Sequence, residues 1–128
     1  MVKAVIDLGT NSIKCIIAEV DGNNIRILKQ LTFITKLGRN LQPNNELGFE
    51  AQDNIIKDLK SIQQLCEFLK VEQVICVGTE ALRRAKDSVP FQEKIRQQVG
   101  WKVYVLSPEM EAKFIFLASS NLIPANQK

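Results

Sequence analysis

Two short runs of β-forming apolar residues, Val2–Ile6 and Ile13–Val20, are separated only by Asp7-Leu8-Gly9-Thr10-Asn11-Ser12. So short a connection forces the two strands to run antiparallel, because a parallel pair needs a crossover of a dozen or more residues. A second turn signal, Asp21-Gly22-Asn23-Asn24, ends the second run and introduces a third strand. The chain therefore opens as an antiparallel meander with strands at about 2–7, 13–20 and 24–33. The first turn is built of small, hydrogen-bonding residues. It can offer several backbone N–H groups and the hydroxyls of Thr10 and Ser12 to an anion, although a turn of this composition also serves simply as a hairpin. Asp7 puts a carboxylate at the mouth of the turn, where it could hold a hydrated divalent cation or orient water.

Beyond the meander the periodicity changes. A polar connection containing Gly and Pro runs from Leu37 to Leu47, after which apolar residues recur at Ile55/Ile56, Leu59, Ile62, Leu65/Cys66 and Leu69. That three-to-four spacing predicts an amphipathic helix with one face on the sheet. Val74-Ile75-Cys76-Val77 is a continuous apolar run, as expected of a strand covered on both faces, and it stops at Gly78-Thr79 before a helical stretch. Asp87 or Ser88, followed by Pro90, starts a further helical segment ending near Gly100. Trp101–Leu106 alternates as a last short strand, and Ser107-Pro108-Glu109 reads as N-cap, first position and acidic first turn of a last helix to about Ser120. The order is βββαβαβα, an α/β fold whose first three strands are antiparallel.

Composition excludes several chemistries. The chain has no histidine, so imidazole general bases and histidine-ligated zinc are ruled out within it, and carboxylates must do any acid–base work. Seventeen Lys and Arg against fourteen Asp and Glu give a net charge of +3. That mildly favours anionic ligands without the basic stripe of a nucleic-acid binder. The three cysteines, Cys15, Cys66 and Cys76, sit among Ile, Val and Leu with no Cys-x-x-Cys spacing, the pattern of buried thiols in a reducing cytoplasm. No signal-peptide pattern opens the chain and no apolar run is long enough for a membrane helix.

Three further residues stand out. Thr79 and the following Glu-Ala-Leu-Arg-Arg lie where a strand end opens a helix, a place where backbone donors favour an anion. Arg83 and Arg84 fall one turn in, and the plainer alternative is a solvated arginine pair. On a helix starting at Pro108, Glu111 shares a face with Phe114, Ile115, Ala118 and Leu122, whereas Glu109 points toward Lys113 as a surface charge. A carboxylate on an apolar face is expensive unless partnered, which makes Glu111 a candidate general base. The alternative is a helix-edge carboxylate capped by solvent.

Asp7-Leu8-Gly9-Thr10 between the first two strands resembles the first phosphate loop of the actin, sugar-kinase and Hsp70 superfamily. With Asn11-Ser12-Ile13-Lys14 directly after it, the chain is most similar to the exopolyphosphatase and guanosine pentaphosphate phosphohydrolase family, which commonly has Ser at the position of Thr10 and often Arg at that of Lys14. Thr79, Ala81, Leu82 and Arg83 match the family's Thr-x-Ala-Leu-Arg segment, and Glu111-Ala112 matches the end of its Ser-Gly-x-Glu-Glu-Ala motif. Pro108 stands where Gly is usual and Met110 where an acid is usual, which changes the loop geometry and the neighbouring charge around Glu111.

The resemblance implies a ribonuclease-H-like (actin-like ATPase) domain with a mixed sheet. It implies phosphate binding by Gly9, Thr10, Asn11, Ser12 and Arg83, a metal-positioning role for Asp7 toward Mg2+, and a catalytic Glu111 that activates water. The activity implied is release of orthophosphate from the end of polyphosphate. Guanosine pentaphosphate hydrolysis and a non-catalytic phosphate- or nucleotide-sensing module are the alternatives, and an ATP-binding kinase-like lobe is disfavoured by Asn11-Ser12 and Glu111-Ala112. The superfamily's second loop, Asp-x-Gly-Gly-Gly, does not occur in this chain. The expectation is therefore an N-terminal lobe over 1–120 and a linker over 121–128 toward a missing second lobe. Such a lobe alone should be inactive, and the complete protein, cytoplasmic and with no membrane segment, could pair as a homodimer.

Overall fold

The computed structural model describes residues 1–36, 41 and 44–122. Most of the expected polar connection at 37–47 and the expected linker beyond Leu122 lie outside the described residues. β1 (Val2–Leu8), β2 (Ser12–Asp21) and β3 (Asn24–Ile34) form the meander; then come α1 (Phe49–Phe68), β4 (Gln73–Gly78), α2 (Glu80–Arg84), α3 (Ser88–Gln98), β5 (Val103–Val105) and α4 (Pro108–Leu122). The five strands make one mixed sheet in the order β3-β2-β1-β4-β5. β1 is its hinge: antiparallel to β2, with Ile6 opposite Cys15, and parallel to β4, with Ile6 opposite Cys76 on the other side. Among the described residues no helix is long and apolar enough to cross a membrane.

The period-two alternation of the strands buries one face. Ala4, Ile6 and Leu8 of β1, Ile13, Cys15 and Ile17 of β2, Cys76 of β4 and Val103 of β5 pack under Ile55, Ile56, Leu59, Ile62 and Cys66 of α1 and under Phe91 and Ile95 of α3. Helix α1 is held by this apolar stripe rather than by its ends, since Gly48 gives no side-chain cap. The three thiols belong to this core, and burial pushes Cys15 and Cys76 each up to about 12, so they stay protonated.

Two expectations are corrected here. The βββαβαβα order counts one helix between β4 and β5, whereas the two helical segments read there, after Thr79 and from Asp87 or Ser88, are separate helices, because Ala85 is extended (ψ 130°) and ends α2 after five residues. The break frees Asp87 from capping duty. Although it is the residue before α3, its side chain makes no cap bond and instead accepts from the N–H groups of Leu47 (2.9 Å) and Gly48 (3.0 Å) and from the Gln52 amide (2.8 Å). One carboxylate thus clamps α3 to the start of α1. The second correction concerns β4, which is not covered on both faces among the described residues. Val5 and Ile16, on the face away from α1, are 45% and 44% exposed, and Val74, Ile75 and Val77 are only partly buried. An apolar run alone does not reveal which face has a partner.

Candidate active site

The site forms where β1, β4 and β5 end side by side. Leu8 pairs with Gly78, Gly78 pairs with Val105, and the Leu106 N–H donates to the Gly78 carbonyl at 2.9 Å. Gly78 makes this junction close, because a Cβ there would lie 2.4 Å from Leu82 Cδ1 and 3.2 Å from its Cβ and Cγ, so any side chain would force the buried Leu82 to shift. Thr79 then ties β4 to β1: its N–H and its hydroxyl both point to the Leu8 carbonyl, at 3.3 and 3.5 Å. Thr79 therefore contributes structure at this junction rather than donors to an anion. The Thr79 donors are committed, and a helix of five residues has little dipole to offer.

The turn after β1 closes with the Gly9 N–H donating to the Ser12 carbonyl at 3.0 Å. A Cβ on Gly9 would sit 3.1 Å from that same oxygen, so the tightness of the turn depends on glycine. The Asn11 carbonyl is taken by the N–H groups of Thr35 (2.9 Å) and Lys36 (3.0 Å), which lash the turn to the end of β3. The Thr10 and Asn11 N–H groups make no backbone bond among the described residues and remain available to a ligand.

Asp7 precedes this turn and faces the open side of the sheet. There it joins Val5, Ile75, Val77, Thr79, Leu106, Glu111 and Phe114 in lining a cleft of about 440 Å³. Its Oδ1 is buried with no hydrogen-bond partner among the described residues. Burial pushes the Asp7 carboxyl above its ordinary value, the nearby Glu111 carboxylate adds to this, and Lys14 opposes it. Lys14 stood in the sequence only as a motif position, with no partner assigned to it. It stands directly opposite Asp7 in the β1–β2 register, and counting outward from the turn, Leu8 with Ile13 and Asp7 with Lys14, would have found it.

Glu111 occupies the first turn of α4. Its N–H donates to the Ser107 carbonyl at 2.9 Å, while the Ser107 hydroxyl accepts from the Met110 N–H at 3.1 Å, the expected N-cap. Its carboxylate is partnered rather than isolated: Arg83 Nη1 donates to Glu111 Oε2 at 2.9 Å and to the Leu106 carbonyl at 2.7 Å. Arg84 is exposed and pairs loosely with Glu80 at 3.4 Å, as a solvated surface arginine does. The structure thus brings Asp7 and Glu111 to one cleft, with Arg83 bonded to two of its lining residues, Leu106 and Glu111, from outside the lining; the side chains of Thr10, Asn11 and Ser12 do not form its walls. A larger hollow of about 700 Å³ lies between the end of β3 and the first turns of α1, but it contains none of the motif residues.

The sequence profile described as the Ppx/GppA phosphatase family matches residues 16–128. A bifunctional 3-dehydroquinate synthase/phosphatase of Fusobacterium nucleatum is 32% identical over 121 residues, covering 89% of this chain and 18% of that protein. A candidate exopolyphosphatase of Haemophilus influenzae is 31% identical over 113 residues, covering 88% of this chain and 35% of its own. Among solved structures, the Aquifex aeolicus member of the Ppx/GppA family superposes with a TM-score of 0.89 at 34% identity, covering 97% of this chain and 41% of that one. The chain therefore spans well under half the length of these relatives.

Proposed function

The chain belongs to the Ppx/GppA phosphatase family, and from that premise we propose that it forms one wall of a phosphoanhydride hydrolase site of the exopolyphosphatase type, releasing orthophosphate from the end of inorganic polyphosphate. The observation that carries this reading is the meeting of Asp7 of β1 and Glu111 of α4 in a single cleft, with Arg83 of α2 paired to Glu111 and a tight Gly-containing turn directly after Asp7. Glu111 is the carboxylate placed to take a proton from the attacking water. Gly9–Ser12 offers backbone N–H groups and hydroxyls to the terminal phosphate, and Arg83 supplies a guanidinium to the same group.

The donors suit a hard, hydrated cation. A buried, unpartnered Asp7 oxygen stands near a second carboxylate, with no imidazole in the chain. Among the described residues no group of three or more His, Cys, Asp or Glu could hold a metal ion alone. That favours Mg2+, which keeps several waters and is shared between one or two carboxylates and the substrate phosphates. Asp7 would hold the ion or its waters; Mg2+, when bound, neutralises phosphate charge. Residues 1–120 then act as an N-terminal lobe whose cleft is closed by a second lobe, in a protein whose buried reduced thiols suit the cytoplasm.

The test is Glu111→Gln in the complete gene product, with Glu109→Gln as its control and orthophosphate release from polyphosphate in the presence of Mg2+ as the readout. Glu111→Gln should lose about 10²- to 10⁴-fold in kcat. Glu109 is exposed and bonds nothing among the described side chains, so its loss should leave turnover near wild type. Near-wild-type turnover in Glu111→Gln would remove the assigned base. Faster release from guanosine pentaphosphate than from polyphosphate would reassign the substrate, and polyphosphate binding without release would make the chain part of a sensor.

A further inference from the structure

Arg83 does more than present charge to a phosphate. All of its side-chain hydrogen bonds among the described residues leave from one nitrogen, Nη1, which donates one N–H to Glu111 Oε2 (2.9 Å) and the other to the Leu106 carbonyl (2.7 Å). A guanidinium has five N–H donors in a rigid plane, so three remain, on Nη2 and Nε. The Leu106 bond fixes the guanidinium to the sheet, because Leu106 is itself bonded to Gly78. From behind, the Arg83 N–H donates to the Thr79 carbonyl at 3.0 Å, and Thr79 is tied to Leu8 at the end of β1. Glu111, by contrast, has no side-chain partner other than Arg83 among the described residues. A glutamate leaving the first turn of a helix has several rotamers to choose from, and this single contact selects one. The pair is also less open to water than its counterparts, at 22% and 33% exposure against 74% and 46% for Arg26–Glu19, so it is less screened.

We infer that Arg83 is the positioning residue for Glu111. Resting on the reading of Glu111 as general base, the inference is that the Nη1 edge of the guanidinium aims the carboxylate while the Nη2 and Nε donors are left for the substrate phosphate. One planar group then sets the base and the reacting phosphate in a common frame. A lysine would keep the charge but not the frame, since its ammonium is a point donor on a flexible stem.

A double-mutant cycle on the complete gene product tests this, with polyphosphate and Mg2+ and with folding of each variant checked by circular dichroism. Arg83→Lys should lower kcat by about 10- to 100-fold, the scale of a misplaced catalytic group, while changing KM much less. Arg83→Ala should lower kcat strongly in the wild-type background and by a factor about tenfold smaller on top of Glu111→Gln, where the phosphate contact is still lost but nothing is left to position. If Glu111→Gln is impaired and Arg83→Ala still costs its full factor on top of it, Arg83 acts independently of Glu111 and the inference fails. Wild-type kcat in Arg83→Lys would overturn it as well, using a variant that keeps the charge and much of the packing. Normal turnover in Glu111→Gln would remove both the base and this inference, an outcome distinct from a multiplicative cycle.

Discussion

Burial and the neighbouring Glu111 carboxylate both push the Asp7 carboxyl above its ordinary value, and Lys14 offsets only part of that. For an acid whose folded pKa is raised, the folded state is most favoured while the group is protonated, and stability falls as pH rises from the unfolded value through the folded one. Asp7→Asn should therefore raise Tm at neutral pH, with the gain shrinking in acid. Mg2+ should raise the Tm of the wild-type protein more than that of Asp7→Asn, since only the former keeps the charged oxygen. Thermal scans at two pH values with and without the cation would read both, and a lower neutral Tm for Asp7→Asn would show that the carboxylate is satisfied in a way this geometry does not reveal. At this scale the sequence marks the residues better than their partners. Asp7 and Glu111 stood out by residue type beside turn and helix signals and Arg83 was told from Arg84 only by the family motif, but the Arg83–Glu111 bond spans two elements whose relative placement no local pattern encodes.

Helix α3 is joined to the start of α1 by the Asp87 clamp. Burial raises the Asp87 carboxyl, but the hydrogen bonds from the Leu47 and Gly48 N–H groups, from its own backbone and from Gln52 outweigh it and hold the group below its ordinary value. A depressed folded pKa contributes stability that is present above the unfolded value, near about 3.9, and is lost as pH falls through the folded one. Asp87→Asn should destabilise the domain at pH 7 by about 1–3 kcal/mol, since it weakens charge-assisted bonds to backbone N–H groups. It should cost much less near pH 2, where the wild-type carboxyl is protonated too; urea denaturation at the two pH values measures the difference. A pH-independent loss would mean the clamp works by shape alone. Sequence placed Asp87 at a helix start, and it is there, but the side chain serves a different element. The start of a further helix at Asp87 or Ser88 implied a break before it, but not its place at Ala85, because alanine is a good helix former.

At the level of the molecule, the sheet is covered by α1 and α3 on one side, while on the other Val5, Ile16 and Tyr104 remain well exposed beside the candidate site. The meander and the strands and helices after it were readable from alternation and turn chemistry and the mixed sheet from the family resemblance, whereas the open face was not, because apolar runs look the same whether or not something covers them. The 128-residue chain alone should fold cooperatively yet release little or no orthophosphate from polyphosphate, since only one wall of the cleft is present. Circular dichroism with a phosphate-release assay decides this, and turnover near that of a longer family member would refute it. The topology also gives the two parts of the site different clocks. Register within the meander joins Ile6 to Cys15, but joining Ile6 to Cys76 closes a far longer loop, and the entropy of closure grows with loop length. Pulse-labelled amide exchange during refolding should find β1 and β2 protected together ahead of β4. A chain caught between those moments holds the finished Gly9–Ser12 turn and Asp7 with neither Arg83 nor Glu111 beside them, so on the proposed reading a phosphate offered early would meet grip before it meets chemistry.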